Sequence, residues 1–154
     1  MDPSKAAFGR PTLGGLGVVK QQLAHSRAAI EQCRLLVLAA AAALDKDASS
    51  AASGSSSSSK GEVVRSGLKS ARTVQLVALI KAAVPKACES AIDHCLQIFG
   101  GGGVSQDFVL ARAWVAARSL RFADGPDEVH DAVVARHELN AAAARRKRAV
   151  RSKL

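Results

Sequence analysis

The chain is poor in the residues that build β-sandwiches, disulfide scaffolds and membrane spans. Aromatics make up 3% of its 154 positions, with one Trp and no Tyr, while alanine carries much of the 48% hydrophobic content. That balance favours helices packed through small side chains over a β-sandwich. Cysteine is scarce: Cys33, Cys88 and Cys95 are an odd number without zinc-type spacing. On one helix, Cys88 and Cys95 would stand roughly 10 Å apart along the axis, too far to bridge, so reduced, buried thiols of a reducing compartment are expected. The longest apolar run, LLVLAAAAAL at residues 35–44, is well short of the roughly 20 residues that cross a bilayer. No basic and then apolar leader precedes the body, so a soluble protein with no membrane span is expected.

Acidic residues are also in deficit, 13 against 22 Lys and Arg, for a net charge of +9. Much of the excess falls in one place, where Arg145, Arg146, Lys147, Arg148, Arg151 and Lys153 follow an alanine run. Charge of that kind attracts anionic partners. No aromatic or groove-reading element accompanies it, so nucleic acid ranks last among partners and none is expected.

Residues 1–17 are rich in Gly and Pro and read as an irregular lead-in. From Val18 the period turns helical: Leu23, Ile30, Val37 and Leu44 recur every seven residues as the apolar stripe, with Lys20, Arg27, Glu31 and Arg34 on another face. Glu31 is placed to pair with both arginines. Residues 47–60, DASSAASGSSSSSK, hold no apolar side chain larger than alanine. Such a segment cannot offset the entropy of ordering it, and a disordered serine-rich insertion is expected. A second helix from about Glu62 carries Val77, Val84, Ala91 and Ile98, widened by Ile80, Cys88 and Cys95, and should bend at Pro85. A third begins near Val109 with Leu110, Ala113, Trp114, Ala117 and Leu120. Pro126 opens a fourth that aims Val129, Val133 and Leu139 at the core and frays into the basic tail of residues 145–154. The reading is all-α, a bundle of four helices over residues 18–144.

Two stretches invite a chemical reading. The four glycines of QIFGGGGVSQDF, residues 97–108, end a helix. They could admit a phosphate close to the backbone or simply cap and hinge the helix, since glycine lacks a Cβ and adopts positive φ. No strand precedes them and no Lys-Ser or Lys-Thr follows, which excludes Rossmann and P-loop fingerprints. The turn RFADGPDEVH, residues 121–130, gathers Asp124, Asp127 and Glu128. The last two fall in the first turn of a helix, where acids are favoured electrostatically. Asp124 sits before a glycine, as a turn former or as a carboxylate aimed into a cleft. His25, His94, His130 and His137 are scattered, and no metal site is expected.

Taken together, FGRP, SRAAIEQCRLLVLAAA, QIFGGGGVSQDF and RFADGPDEVHDAVVAR, in this order and spacing, resemble the C-terminal helical domain of the acyl-CoA dehydrogenases, from about Lys5 to Arg146. The resemblance implies a four-helix up-down bundle lacking the first helix of that domain, and FAD as cofactor. It implies that Gln97, Gly100, Gly101 and Gly103 lie against the adenosine diphosphate part of a flavin held largely by a neighbouring subunit, with Glu128 a further contact. Phe8 matches the aromatic of the family's Arg-x-x-Phe-Gly flavin motif; Lys5 stands where its arginine would be, keeping charge but losing the bidentate fork. Asp124 takes the position of the family's catalytic glutamate, the base that removes the α-proton of an acyl-CoA. Pro126 replaces a hydroxyl residue of the wider family, and Arg136 matches an arginine of the last helix. ADGPDEVH is similar to the branch often fused to a kinase-like domain and acting on long-chain or 4-hydroxy acyl-CoA.

The expected function is thus that of the C-terminal part of a flavin-dependent acyl-CoA dehydrogenase of fatty acid β-oxidation, incomplete alone, binding FAD weakly or not at all without its other domains. It would work as a homo-oligomer or with larger dehydrogenase subunits, and would expose an apolar groove where the absent helix packs. The alternative is a non-catalytic helical interaction module derived from such an enzyme. The terminal SKL reads as a peroxisomal address recognised by the import receptor, so the peroxisome is the expected location.

Overall fold

Helix is what an alanine-rich chain with few β-branched residues favours. The computed structural model describes residues 12–52 and 70–152. A 3-10 turn at Leu13–Gly15 leads into α1 (Gly17–Ala52), α2 (Ala71–Phe99), α3 (Gly101–Val104), α4 (Leu110–Ser119) and α5 (Asp127–Arg151). No strand occurs among the described residues. The all-α class and the expected helices are found, with α3 added by the glycines themselves. Lys5 and Phe8 lie outside the described residues.

The chain divides into two compact units, residues 12–33 with 84–120 and residues 34–52 with 70–83 and 121–152. In the first, the Ser26 hydroxyl meets His94 Nδ1 at 2.9 Å, tying α1 to α2. Phe99 and Phe108 pack edge to face with centroids 5.2 Å apart, a favoured aromatic geometry. In the second, the Ser70 amide donates to the Asp47 carboxylate at 3.1 Å. The Ser70 hydroxyl accepts from the Thr73 amide at 3.0 Å, capping α2. Thr73 is fully buried beneath this cap; the expected helix start near Glu62 lies outside the described residues. Gln75 donates to Glu138 at 2.6 Å, joining α2 to α5.

The inward face of α1 is not the leucine stripe. Leu23 (59% exposed), Ile30 (44%), Val37 (44%) and Leu44 (37%) face outward, while Val19 and Ala40 are buried. Gln22, Ser26, Ala29, Cys33, Leu36, Ala43 and Asp47, at alternating three- and four-residue spacing with Val19 and Ala40, are all half-buried. The two stripes lie one position apart, and the small-residue one permits closer approach between helices. On α2 the expected Val77, Val84, Ala91 and Ile98 are half-buried, and the helix continues through a buried Pro85.

Three further expectations are corrected. The serine segment is helical as far as Ala52, and within that helix Ser49 and Ser50 donate their hydroxyls back to the carbonyls of Asp45 and Lys46 at 2.7 and 2.6 Å; residues 53–60 lie outside the described residues. α5 runs on to Arg151 instead of fraying at the basic tail. Four alanines extend it, and Arg148 and Arg151 in its last turn oppose the negative end of the helix dipole. Val129 and Leu139 are 52% and 71% exposed rather than in the core, with Val133 alone half-buried.

Cys88 and Cys95 are exposed and Cys33 is half-buried, not the buried set expected. Burial, and then the charge of nearby Cys88, pushes the Cys33 thiol above its ordinary pKa. Because the thiolate is the nucleophile, iodoacetamide at mildly alkaline pH should alkylate Cys88 and Cys95 before Cys33. Peptide mass spectrometry over time reads the order; Cys33 reacting first would contradict the packing described.

Candidate functional site

The glycine elbow begins where α2 runs out of side chains. The Gly100 amide still donates to the Leu96 carbonyl at 2.9 Å, but Gly100 itself turns to φ 58°, ψ −137°, a region essentially confined to glycine. The Gly103 amide then returns to the Gly100 carbonyl at 2.9 Å. A Cβ on Gly103 would stand 3.0 Å from Phe99 Cβ and 3.1 Å from the Leu96 carbonyl oxygen, whereas one on Gly101 would meet nothing within 4 Å. One glycine is therefore required by the turn, another by packing onto α2, and Gly101 leaves open backbone. Gln97 is exposed on the last turn of α2.

Beyond the elbow, Ser105 donates to the Gly102 carbonyl at 2.8 Å and accepts from the Asp107 amide at 3.2 Å, fixing the entry to α4. Between α3 and α4 lies a cleft of about 490 Å³ lined by Val104, Ser105, Gln106, Phe108, Arg112 and Val115 among others. Ser105, Gln106 and Arg112 are polar lining that the sequence reading missed. Their one sequence signal is the placement of Arg112 a helical turn after Phe108.

The acidic turn belongs to the second unit. Arg121 donates from Nε and Nη2 to Asp127 Oδ2, both at 2.8 Å, and the Asp127 amide returns to the Arg121 carbonyl at 3.1 Å. Lys81 donates to the Ala123 carbonyl. His130 Nε2 lies 3.3 Å from the Asp124 carbonyl and, as N–H, donates to it. Inside this ring of bonds Asp124 has φ 57° and Gly125 φ 105°. Asp124 is the one non-glycine at positive φ among the described residues, and its side chain is exposed. Glu128 is exposed on the first turn of α5, whereas Asp127 beside it is buried. The sequence reading gave Asp127 only a helix-dipole role and missed its pairing with Arg121. Gln97 and the glycines are thus grouped at one helix end, and Asp124 with Glu128 at another turn.

Both the elbow and the acidic turn fall within the stretch matched by one family, that of the acyl-CoA dehydrogenase C-terminal domain. The sequence model of that family, "Acyl-CoA dehydrogenase, C-terminal domain", matches residues 4–139, and the chain belongs to it. It is 40% identical over 136 residues to acyl-CoA dehydrogenase family member 10 of Mus musculus, covering 88% of this chain and 11% of that protein. It is 41% identical over 137 residues to the Mycobacterium tuberculosis protein named probable acyl-CoA dehydrogenase FadE2, covering 89% of this chain and 28% of that protein. A solved structure from Mycobacterium abscessus assigned to the acyl-CoA dehydrogenases superposes with TM-score 0.68 at 44% identity, over 91% of this chain and 29% of that one. The chain thus spans less than a third of each of these proteins.

The glycines separate by substitution. Gly100→Ala should cost about 1–3 kcal/mol through positive φ, and Gly103→Ala about 1–3 kcal/mol because backbone must shift. Gly101→Ala should fall within about 0.5 kcal/mol of the parent. Urea denaturation ranks them; equal effects at Gly101 and Gly103 would contradict the elbow.

Proposed function

We propose that this chain supplies the C-terminal helical part of a flavin-dependent acyl-CoA dehydrogenase, with Asp124 as the base. The observation that carries the reading is Asp124 itself, a carboxylate held in left-handed backbone by the Arg121–Asp127 clasp. Strain of this kind concentrates at functional sites. In the reaction Asp124 takes the α-proton of the acyl thioester, the β-hydrogen leaves as hydride, and a Cα–Cβ double bond forms. FAD, when bound, supplies the hydride acceptor. The residues present fit that group at the elbow. Gly100 and Gly101 offer backbone with nothing within 4 Å of an added Cβ, and Gln97 is exposed and polar; in the second unit Glu128 is likewise exposed. Gly103 serves by bringing α3 onto α2.

A proton-abstracting carboxylate works best in a dry site with a raised pKa, and Asp124 is exposed here. Its enclosure would come from the other parts of a dehydrogenase, as larger subunits or a second copy. Acyl-CoA is the substrate on this reading and fatty acid β-oxidation the setting. The terminal SKL would be read by the peroxisomal import receptor. The outward stripe of Leu23, Ile30, Val37 and Leu44 favours the second reading, a helical module that joins a mixed oligomer without catalysing.

Flavin bleaching by an acyl-CoA separates the two. Supplied with FAD and the remaining domains of a related dehydrogenase, the chain should support bleaching that falls by about 10²–10⁴-fold in Asp124→Asn. Stable association without bleaching would establish the non-catalytic module instead.

A further inference from the structure

The end of α5 carries none of the residues to which the dehydrogenase reading gives a catalytic or flavin-binding role. The family match stops at residue 139, yet the helix continues to Arg151. Every residue from Glu138 to Ser152 is exposed. Within this stretch Arg145, Arg146, Lys147, Arg148 and Arg151 stand without an acid after Glu138. The helix dipole accounts for Arg148 and Arg151 in the last turn, not for the other three, because its effect fades within one turn.

Helical spacing sorts these residues. Asn140, Ala143, Ala144 and Lys147 fall at i, i+3, i+4 and i+7 on one face, and Arg146 and Arg148 lie on its two flanks. We propose that this half of α5 is a binding helix for duplex DNA, seated in the major groove with the Asn140 face toward the bases. The groove is about 12 Å wide and admits an α-helix. An asparagine amide bonds an adenine edge in two places, and alanine methyls allow close approach and contact thymine methyls. Arginines on either flank meet the phosphates of the two strands. The sequence reading set nucleic acid aside for want of an aromatic or groove-reading element; a helix that continues to Arg151 can serve as the latter. Duplex RNA fits less well because its major groove is too narrow to read. A lipid surface fits less well because cations surround the helix and leave no broad apolar face to insert.

Fluorescence anisotropy of a labelled mixed-sequence duplex of about 20 base pairs with the full 154-residue chain tests this, since neutralising about four phosphates should weaken binding on the order of 100-fold between about 50 and 200 mM salt. The triple variant Arg145→Gln, Arg146→Gln, Arg148→Gln keeps good helix formers. It should lose most binding at low salt and flatten the salt dependence, with helical circular dichroism unchanged. Asn140→Ala leaves the charge as it is, so affinity should fall about fivefold or more with the salt slope unchanged. No binding at low salt overturns the proposal, as does capture by phosphatidylserine vesicles but not by duplex. Equal affinity for single strands, or an Asn140→Ala variant indistinguishable from the parent, overturns seating in the groove.

Discussion

The Arg121 guanidinium and the Asp127 carboxylate, joined through two nitrogens at 2.8 Å, close the turn on which the proposed chemistry depends. Their side chains are 30% and 10% exposed, between a solvated pair worth under about 1 kcal/mol and a buried one whose rupture costs about 3–5 kcal/mol. A value of about 1–3 kcal/mol matches the strain of a non-glycine residue at positive φ. The clasp is therefore strong enough to hold Asp124 where it is, though not by a wide margin. The bonds from Lys81 and His130 to the carbonyls of Ala123 and Asp124 restrain the same segment from outside. Sequence places the acid, the clasp sets its backbone, and the backbone decides where the carboxylate projects.

The glycine elbow follows a different logic, in which absence of side chains is what permits the geometry. Gly100 makes the turn that ends α2, and Gly103 lets α3 lie against Phe99 and Leu96. Gly101 then stands on open backbone between them. Four glycines in a row would cost a long helix several kcal/mol; here α2 has already ended at Phe99, Gly100 makes the bend, and the other three fall in the single short turn of α3.

The helices were legible in the sequence because their apolar period survives in any packing, and so were the elbow and the acidic turn, which are written in glycine and aspartate. The inward face of α1 was not. Leu23 and Ile30 are larger and more apolar than Ser26 and Ala29, so a hydropathy reading chooses the leucines, whereas close helix packing chooses the smaller stripe. The helical serines at 49 and 50 were missed because their back-bonds to Asp45 and Lys46 depend on the helix already being formed. Asp127 was assigned to a dipole because nothing local shows that Arg121 folds back onto it. Long-range pairing of this sort is decided by the turn, not by either residue alone.

The direct test of the account is the backbone of Asp124 in solution. In a ¹³C,¹⁵N-labelled chain, positive φ brings the amide and α protons of one residue close together and gives a strong intraresidue cross-relaxation peak. That peak should be strong for Asp124 in the parent chain and should weaken in Asp127→Ala, with the rest of the helical spectrum preserved. A peak that is weak in the parent, or that stays strong once the Asp127 carboxylate is gone, would show that the clasp does not set the geometry of the proposed base.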